Sequence, residues 1–276
     1  MVTQTQAAEY YLNLYLSGAI YVWGMNAPDI ITSKSIMDAY EVNHTKKYDR
    51  AYYEAKLKEG YGKIGSDCSG AHHGISGYDD NAQGYFNSCI STAKTTAMSD
   101  DKVVLLFNGS STSKITHTGV FIPGLGEFHM KSSKDNAVLE EFSSRTFKYF
   151  GYAKFINYNA EDFMLRDHYD MWIKLLQFEM NKAFEAELRI DGIFGNKTLA
   201  ATDSIGLLKK GSKGVFVRLL QIFLNTKFGV QLETDGVFGK ATLEQVKKFQ
   251  KINGLVDDGI VGRKTWNAIK NKVTSF

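Results

Sequence analysis

The sequence predicts two domains of different class: an α+β domain over residues 1–158 and a small all-α domain over residues 164–276. Three observations carry this. Strand-like runs rich in Val, Ile and Phe are confined to the first part. A turn-and-helix motif occurs three times in the second. Charge divides at the same place: residues 163–276 hold 18 Lys/Arg against 12 Asp/Glu, whereas residues 1–162 hold 15 against 18. At roughly 150 residues per domain, 276 residues suit two modest domains. A hydrophobic fraction of 43% supplies real cores and excludes global disorder.

In chain order, Ala7–Leu16 reads as a helix. Val103–Phe107, His117–Ile122 and Glu127–Lys131 read as strands, and Pro123-Gly124-Leu125-Gly126 as the turn joining the last two. A long Tyr- and Lys-rich stretch, about 28–62, interrupts the N-terminal domain, with a helix expected over Lys47–Glu59. The polar segment Asn157–Phe163 marks the boundary.

Beyond it, Asp191-Gly192-Ile193-Phe194-Gly195 recurs as Asp235-Gly236-Val237-Phe238-Gly239 and Asp258-Gly259-Ile260-Val261-Gly262. Asp-Gly makes a turn, an apolar pair plugs a core, and a helix follows. Leu243, Val246, Phe249 and Ile252 fall on one helical stripe, as do Val217, Leu220 and Leu224. The helical domain therefore holds a partial repeat over 165–206 and a fuller unit over 207–272.

Chemistry concentrates in three stretches: Tyr21-Val22-Trp23-Gly24, Asp67-Cys68-Ser69-Gly70, and His117-Thr118-Gly119-Val120 followed by His129. Ser66 and Asp67 are good helix N-caps, so Cys68 is expected at a helix start, where the dipole lowers a thiol's pKa. A thiolate nucleophile needs an imidazole partner, and a third polar group to hold that ring in one tautomer. His117 and His129 lie on the two arms of the expected hairpin. An odd loop places both rings on one face of the sheet, one diagonal apart; an even loop separates them unless a bulge intervenes. Each residue also has a plainer reading, since a lone buried Cys is usually a small hydrophobe. Cys68 and His72, four apart, could pair on a metal, but no further ligands stand at characteristic spacing, so no metal or other cofactor is expected. Cys89 reads as structural.

These motifs resemble those of the NlpC-type, papain-like cysteine peptidases that cut bacterial cell-wall peptides. The resemblance covers about residues 5–156 and includes Asp101–Phe107 as the strand before the first His. It implies Cys68 as nucleophile, His117 as general base and His129 as the group that orients it. It also implies substrate-binding roles for Tyr21, Trp23, Asp67 and Ser69, and an oxyanion donor in the Cys68 amide. The 28–62 stretch departs from the family, where a short link is usual, and leaves the bond cleaved open.

The C-terminal repeat resembles the three-helix peptidoglycan-binding domain, through Leu208–Gly214, Val217–Gln221, Asp235–Thr242, Phe249-Gln250 and Gly254–Gly259 with Trp266. Together the two resemblances imply a peptidoglycan hydrolase cleaving a stem-peptide amide, between D-Glu and the diamino acid as in related endopeptidases. An N-acetylmuramoyl-L-alanine amidase and a catalytically dead wall-binding protein are the alternatives. The N-terminus lacks a basic region and no apolar run spans a membrane, so synthesis in the cytoplasm without a signal peptide is expected. This organisation resembles phage endolysins, which holin pores release onto the wall. The basic C-terminal half suits a polyanionic partner; no stacking or groove-reading motif points to nucleic acid.

Overall fold

Thr3 starts the first helix. Its hydroxyl accepts the Gln6 amide at 3.1 Å while Gln6 Oε1 accepts the Thr3 amide at 2.9 Å, a reciprocal capping box. Helix α1 (Gln4–Leu16) thus begins three residues before Ala7, and buries Ala7, Ala8, Tyr11, Leu12 and Leu14. The computed structural model describes residues 1–159, 163 and 165–273. Within it the chain divides into two compact units, Met1–Phe163 and Met164–Phe276.

In the first unit, β1 (Val2–Thr3) precedes α1. A small sheet follows from β2 (Ile20–Tyr21), β3 (Asp29–Ile30) and β4 (Ile64–Ser66), in the order β2-β4-β3. The 28–62 stretch supplies two helices, α2 (Ser33–Asn43) and α3 (Arg50–Gly60), rather than one over Lys47–Glu59. Asp49 sets the start of α3 by accepting the Tyr52 amide at 3.0 Å. Tyr40, Tyr48, Tyr52 and Tyr53 pack with Ile20, Val22, Met25 and Ile36 into a local core. Two short helices, α4 (Gly70–Ser76) and α5 (Ala82–Ser88), lead to the main sheet.

That sheet is built from β5 (Thr92–Lys94), β6 (Val104–Ser111), β7 (Lys114–Ile122), β8 (Gly126–Ser132), β9 (Asn136–Glu140) and β10 (Tyr149–Gly151). Their order is β5-β10-β6-β7-β8-β9, and every pairing is antiparallel. β11 (Ile156–Asn157) closes the unit by pairing with β1. The β7–β8 register matches Ile122 with Gly126 across Pro123-Gly124-Leu125. The loop is therefore three residues, the odd count that brings alternate residues of both arms to one face.

The second unit is helical: α6 (Tyr169–Phe184), α7 (Asn196–Ala201), α8 (Val215–Phe228), α9 (Lys240–Ile252) and α10 (Arg263–Val273). One device recurs in it. A buried glutamine reaches across each Asp-Gly turn to the Asp carboxylate, the carbonyl two residues on, and a Thr hydroxyl. Gln177 does so to Asp191, Ile193 and Thr198 at 2.9, 3.1 and 3.3 Å. Gln221 repeats this with Asp235, Val237 and Thr242 at the same three distances. Gln250 does so with Asp258, Ile260 and Thr265 at 3.0, 2.9 and 3.2 Å. The glutamine oxygen meanwhile accepts the turn glycine's amide, from Gly192, Gly236 and Gly259. The turns are scaffold, each fastened to the helix before it. Among the described residues no helix is long and apolar enough to cross a membrane.

Candidate functional site

The loop after β4 carries Cys68. Helix α4 starts at Gly70, two residues beyond the cysteine, with Ser69 as N-cap residue, so Cys68 lies outside the first turn. Asp67, not Ser66, satisfies the helix start: its Oδ1 accepts the Gly70 amide at 2.7 Å and the Ser69 hydroxyl at 3.1 Å. Gly70 is required by space, because a Cβ there would fall 2.3 Å from the Met25 carbonyl oxygen. The Cys68 amide donates to no carbonyl or side-chain oxygen among the described residues; it faces the residue's own sulfur.

The expectation of a lowered Cys68 pKa does not hold. The thiol is only 8% exposed, and burial, reinforced by the neighbouring Asp67 charge, pushes it up to about 12. A seven-residue helix that starts two positions away does not offset that desolvation. The resting thiol is protonated. It reaches the Thr118 backbone amide, and no hydrogen bond joins it to the His117 ring among the described residues.

Cys68, Asp67, Ser69 and Trp23 line one cleft of about 460 Å³, together with Asn26, Asn43, Asp79, Asp80 and Thr116 of β7. Tyr21, His117 and His129 are not among the lining residues. Tyr21 is buried; desolvation raises its phenol strongly, helped by the nearby Cys68 and Asp67 charges. The Tyr-rich insertion builds the wall behind Trp23. Tyr48 stacks on the indole at 4.9 Å, Tyr52 accepts the Trp23 amide, and Tyr53 donates to its carbonyl.

On β7 and β8, His117 Nε2 and His129 Nδ1 lie 2.8 Å apart, the diagonal contact that the odd loop permits. Gly119 makes room for it: a Cβ there would sit 2.8 Å from His129 Cβ and 2.9 Å from the Phe147 ring. Phe147 stacks on His117 and meets His129 edge-on, at 5.7 and 5.1 Å. Burial, with mutual repulsion of the rings, lowers His117 to about 3; burial lowers His129 to about 4, partly opposed by Glu140. Both imidazoles are therefore neutral at rest. His117 Nδ1 is the ring nitrogen left over for proton transfer.

Two residues that sequence reasoning missed complete this cluster. Glu127 and Glu140 face His129 Nε2 at 3.9 and 3.5 Å. Alternation along β8 puts Glu127, His129 and Lys131 on one side, so Glu127's position two before His129 was the available signal. The oxygens and nitrogen of Glu127, His129 and Glu140 lie within 4.8 Å of one another, a set that could hold a cation where the sequence suggested none. The conceivable Cys68–His72 metal pair is absent. Both His72 nitrogens are engaged, with Tyr11 and Thr118 hydroxyls at 2.8 Å each. Cys89 is partly buried, its thiol donating to the Tyr85 carbonyl at 3.3 Å.

The second unit has its own depression, about 570 Å³, lined by Leu207, Leu255, Val256, Ile260, Arg263 and Lys264. Val256 and Leu207 are largely exposed there, at 79% and 61%.

Comparison with known families bears on this unit. Residues 213–269, which hold α8, α9 and α10 up to Ile269, match the family described as "Putative peptidoglycan binding domain". This segment of the chain thus carries a peptidoglycan-binding domain. No curated protein and no solved structure matches the chain.

Proposed function

We propose that the protein is a cell-wall hydrolase: the N-terminal unit cleaves a stem-peptide amide through Cys68, and the C-terminal unit holds it on peptidoglycan. The observation that carries this is a cleft-lining thiol that reaches the Thr118 amide of β7, one residue along from His117, whose ring pairs with the buried His129 of β8. It is supported by the NlpC-type resemblance of the same residues and by the wall-binding domain in the same chain. Tethering to the polymer raises the local concentration of the target bond.

In this reading Cys68 Sγ attacks the scissile carbonyl as its proton passes to His117 Nδ1. The tetrahedral oxyanion accepts a hydrogen bond from the Cys68 amide. Collapse breaks the C–N bond, and the His117 imidazolium returns the proton to the leaving amine. Water, deprotonated by His117, then hydrolyses the thioester and restores the thiol. The resting thiol is protonated, so its proton leaves during attack rather than before it. Trp23 and Ser69 contact the substrate from the cleft wall, while Asp67 holds the loop in place. The bond assigned is that between D-Glu, or its amide, and the diamino acid. The architecture suits a phage endolysin, delivered to the wall through a holin pore. In the helical unit, the Leu207–Val256 depression with Arg263 and Lys264 is the surface offered to the glycan.

The test is mass spectrometry of fragments released from purified sacculi by the wild type and by Cys68→Ala. The reading requires peptides that disappear with the variant, leaving L-Ala-D-Glu on the glycan. Whole stem peptides would assign an amidase instead. Activity that survives in Cys68→Ala would refute the cysteine mechanism.

A further inference from the structure

Directly opposed like charges destabilise an antiparallel pair. Yet Glu127 of β8 and Glu140 of β9 are direct cross-strand partners. Glu127 is fully buried, its Oε2 accepts the Ser143 amide at 2.9 Å, and its Oε1 has no hydrogen-bond partner among the described residues. That oxygen lies 3.9 Å from His129 Nε2. Glu140 approaches the same nitrogen at 3.5 Å while both its oxygens take Lys131 Nζ, at 2.9 and 3.1 Å. Two carboxylates thus converge on one edge of one imidazole, at a cost the sheet itself does not require.

We propose that Glu127, with Glu140, is a positioning residue that sets the tautomers of both histidines and so makes His117 Nδ1 the base. This rests on the cysteine-peptidase reading above. The 2.8 Å contact between His117 Nε2 and His129 Nδ1 holds one proton, and there are two ways to place it. If His117 donates, its Nδ1 is bare and can accept the Cys68 proton; His129 then carries its own proton on Nε2, toward the carboxylates. If His129 donates, His117 carries its proton on Nδ1 and is no base, and the His129 Nε2 lone pair faces two anions. Ionised Glu127 and Glu140 select the first arrangement. They also stabilise the positive charge that reaches the pair during attack, as the buried carboxylate of a triad does.

Other charged groups around Glu127 fit this assignment. Lys131 on the same strand neutralises Glu140, Asp135 in the β8–β9 turn adds a weaker negative field at His129, and His117 faces it from β7. Ser143 and Thr146 supply only neutral donors. Burial pushes Glu127 up to about 7, the Ser143 amide partly opposing it, so its ionisation falls in the working range. Protonated Glu127 would donate to His129 Nε2 and favour the unproductive tautomer.

The full-length chain tests this with Glu127→Gln and Glu127→Asp. The readouts are kcat and KM on sacculi, and the rate of Cys68 alkylation by iodoacetamide against pH, with Cys89 as internal reference. Glu127→Gln is expected to lower kcat and Cys68 alkylation about tenfold with KM unchanged, as outer groups that orient a reacting imidazole do. It should also remove an inflection near pH 7, which Glu127→Asp keeps. A wild-type pH profile in Glu127→Gln, alongside an inactive Cys68→Ala, overturns the proposal and leaves the peptidase reading standing. Zinc inhibition of the wild type that Glu127→Gln abolishes, with the metal-free rate unmoved, overturns it in favour of a cation site. Full hydrolysis by Cys68→Ala overturns both.

Discussion

The Asp67 carboxylate accepts the Gly24 amide at 3.2 Å, so the turn that carries Trp23 and the loop that carries Cys68 share one anchor. The same group caps α4 through Gly70 and raises the cysteine's pKa by its charge. Its two effects separate in Asp67→Asn, which keeps an acceptor for Gly70 but presents N–H to Gly24. The variant should melt at lower temperature, yet its Cys68 alkylation should reach half-maximum about one pH unit lower, since a neighbouring negative charge is gone. An unchanged or higher midpoint would show that Asp67 does not set the thiol.

His129 matters through His117 Nε2, which has no other hydrogen-bond partner among the described residues. His129→Ala should therefore reduce kcat about a hundredfold or more, the scale of losing an oriented base, while KM and sedimentation with sacculi stay near wild type. A variant that instead lost the thermal unfolding transition of the first unit would mean that the substitution had unfolded that unit.

What the sequence revealed followed from local pattern. The strand runs around His117 and His129 and the three Asp-Gly turns have the right residues at short spacing. What it left open depends on register and on packing between segments far apart in the chain. The loop count deciding whether His117 meets His129 could be read either way until Ile122 was paired with Gly126. Glu140 enters the site only because β9 folds back on β8, and no local pattern in Asn136–Glu140 signals that. The Cys68 expectation failed for the same reason. A helix dipole is inferred from neighbours in sequence, while desolvation comes from the whole fold around the thiol.

Gly119 is a steric requirement. A methyl group at this position would lie 2.7 Å from the Phe128 carbonyl oxygen and 2.8 Å from His129 Cβ, both on a paired strand with little freedom to yield. Gly119→Ala should cost about 1–3 kcal/mol of stability, as overpacking does. It should also reduce activity more than the lost fold alone explains, by moving His129 off His117. Equal activity per folded molecule in both proteins would separate Gly119 from the relay.

His72 gives the first unit an acid-sensitive core. It is buried, bonded on both nitrogens, and held neutral: burial, then His117, lowers it from 6.5 to about 3. A histidine depressed in the folded state contributes stability that is complete above the unfolded pKa and lost as pH falls through the window toward the folded one. The loss runs at about 1.4 kcal/mol per pH unit for one proton. His117 and His129 act in the same direction, down to about 3 and 4. Glu127, raised to about 7, acts in the opposite sense, its contribution disappearing as pH rises through that value. His72→Gln retains partners for Tyr11 and Thr118 but cannot titrate. Urea unfolding followed from about pH 6.5 downward should show a shallower loss of stability in the variant. Parallel curves would mean that His72 is already solvated before global unfolding.

The glutamine clasps of the helical unit predict where it is fragile. Gln221 saturates the Gly236 amide and the Val237 carbonyl at once, at 2.9 and 3.1 Å, and its own side chain is buried. Gln221→Met keeps the volume and removes every one of these bonds. The Gly236 amide is then left without its partner inside the fold, whereas the Val237 carbonyl keeps the Gly239 amide at 2.8 Å, a cost of about 1–3 kcal/mol for one unsatisfied group. Gln177→Met breaks an equivalent set in the partial repeat, outside the residues that match the peptidoglycan-binding family. If 213–269 suffice for the wall, Gln221→Met should weaken sedimentation with sacculi at temperatures where Gln177→Met does not. If both variants release the wall together, the partial repeat folds cooperatively with the fuller unit, and the functional module is the whole of the helical part rather than the matched segment alone.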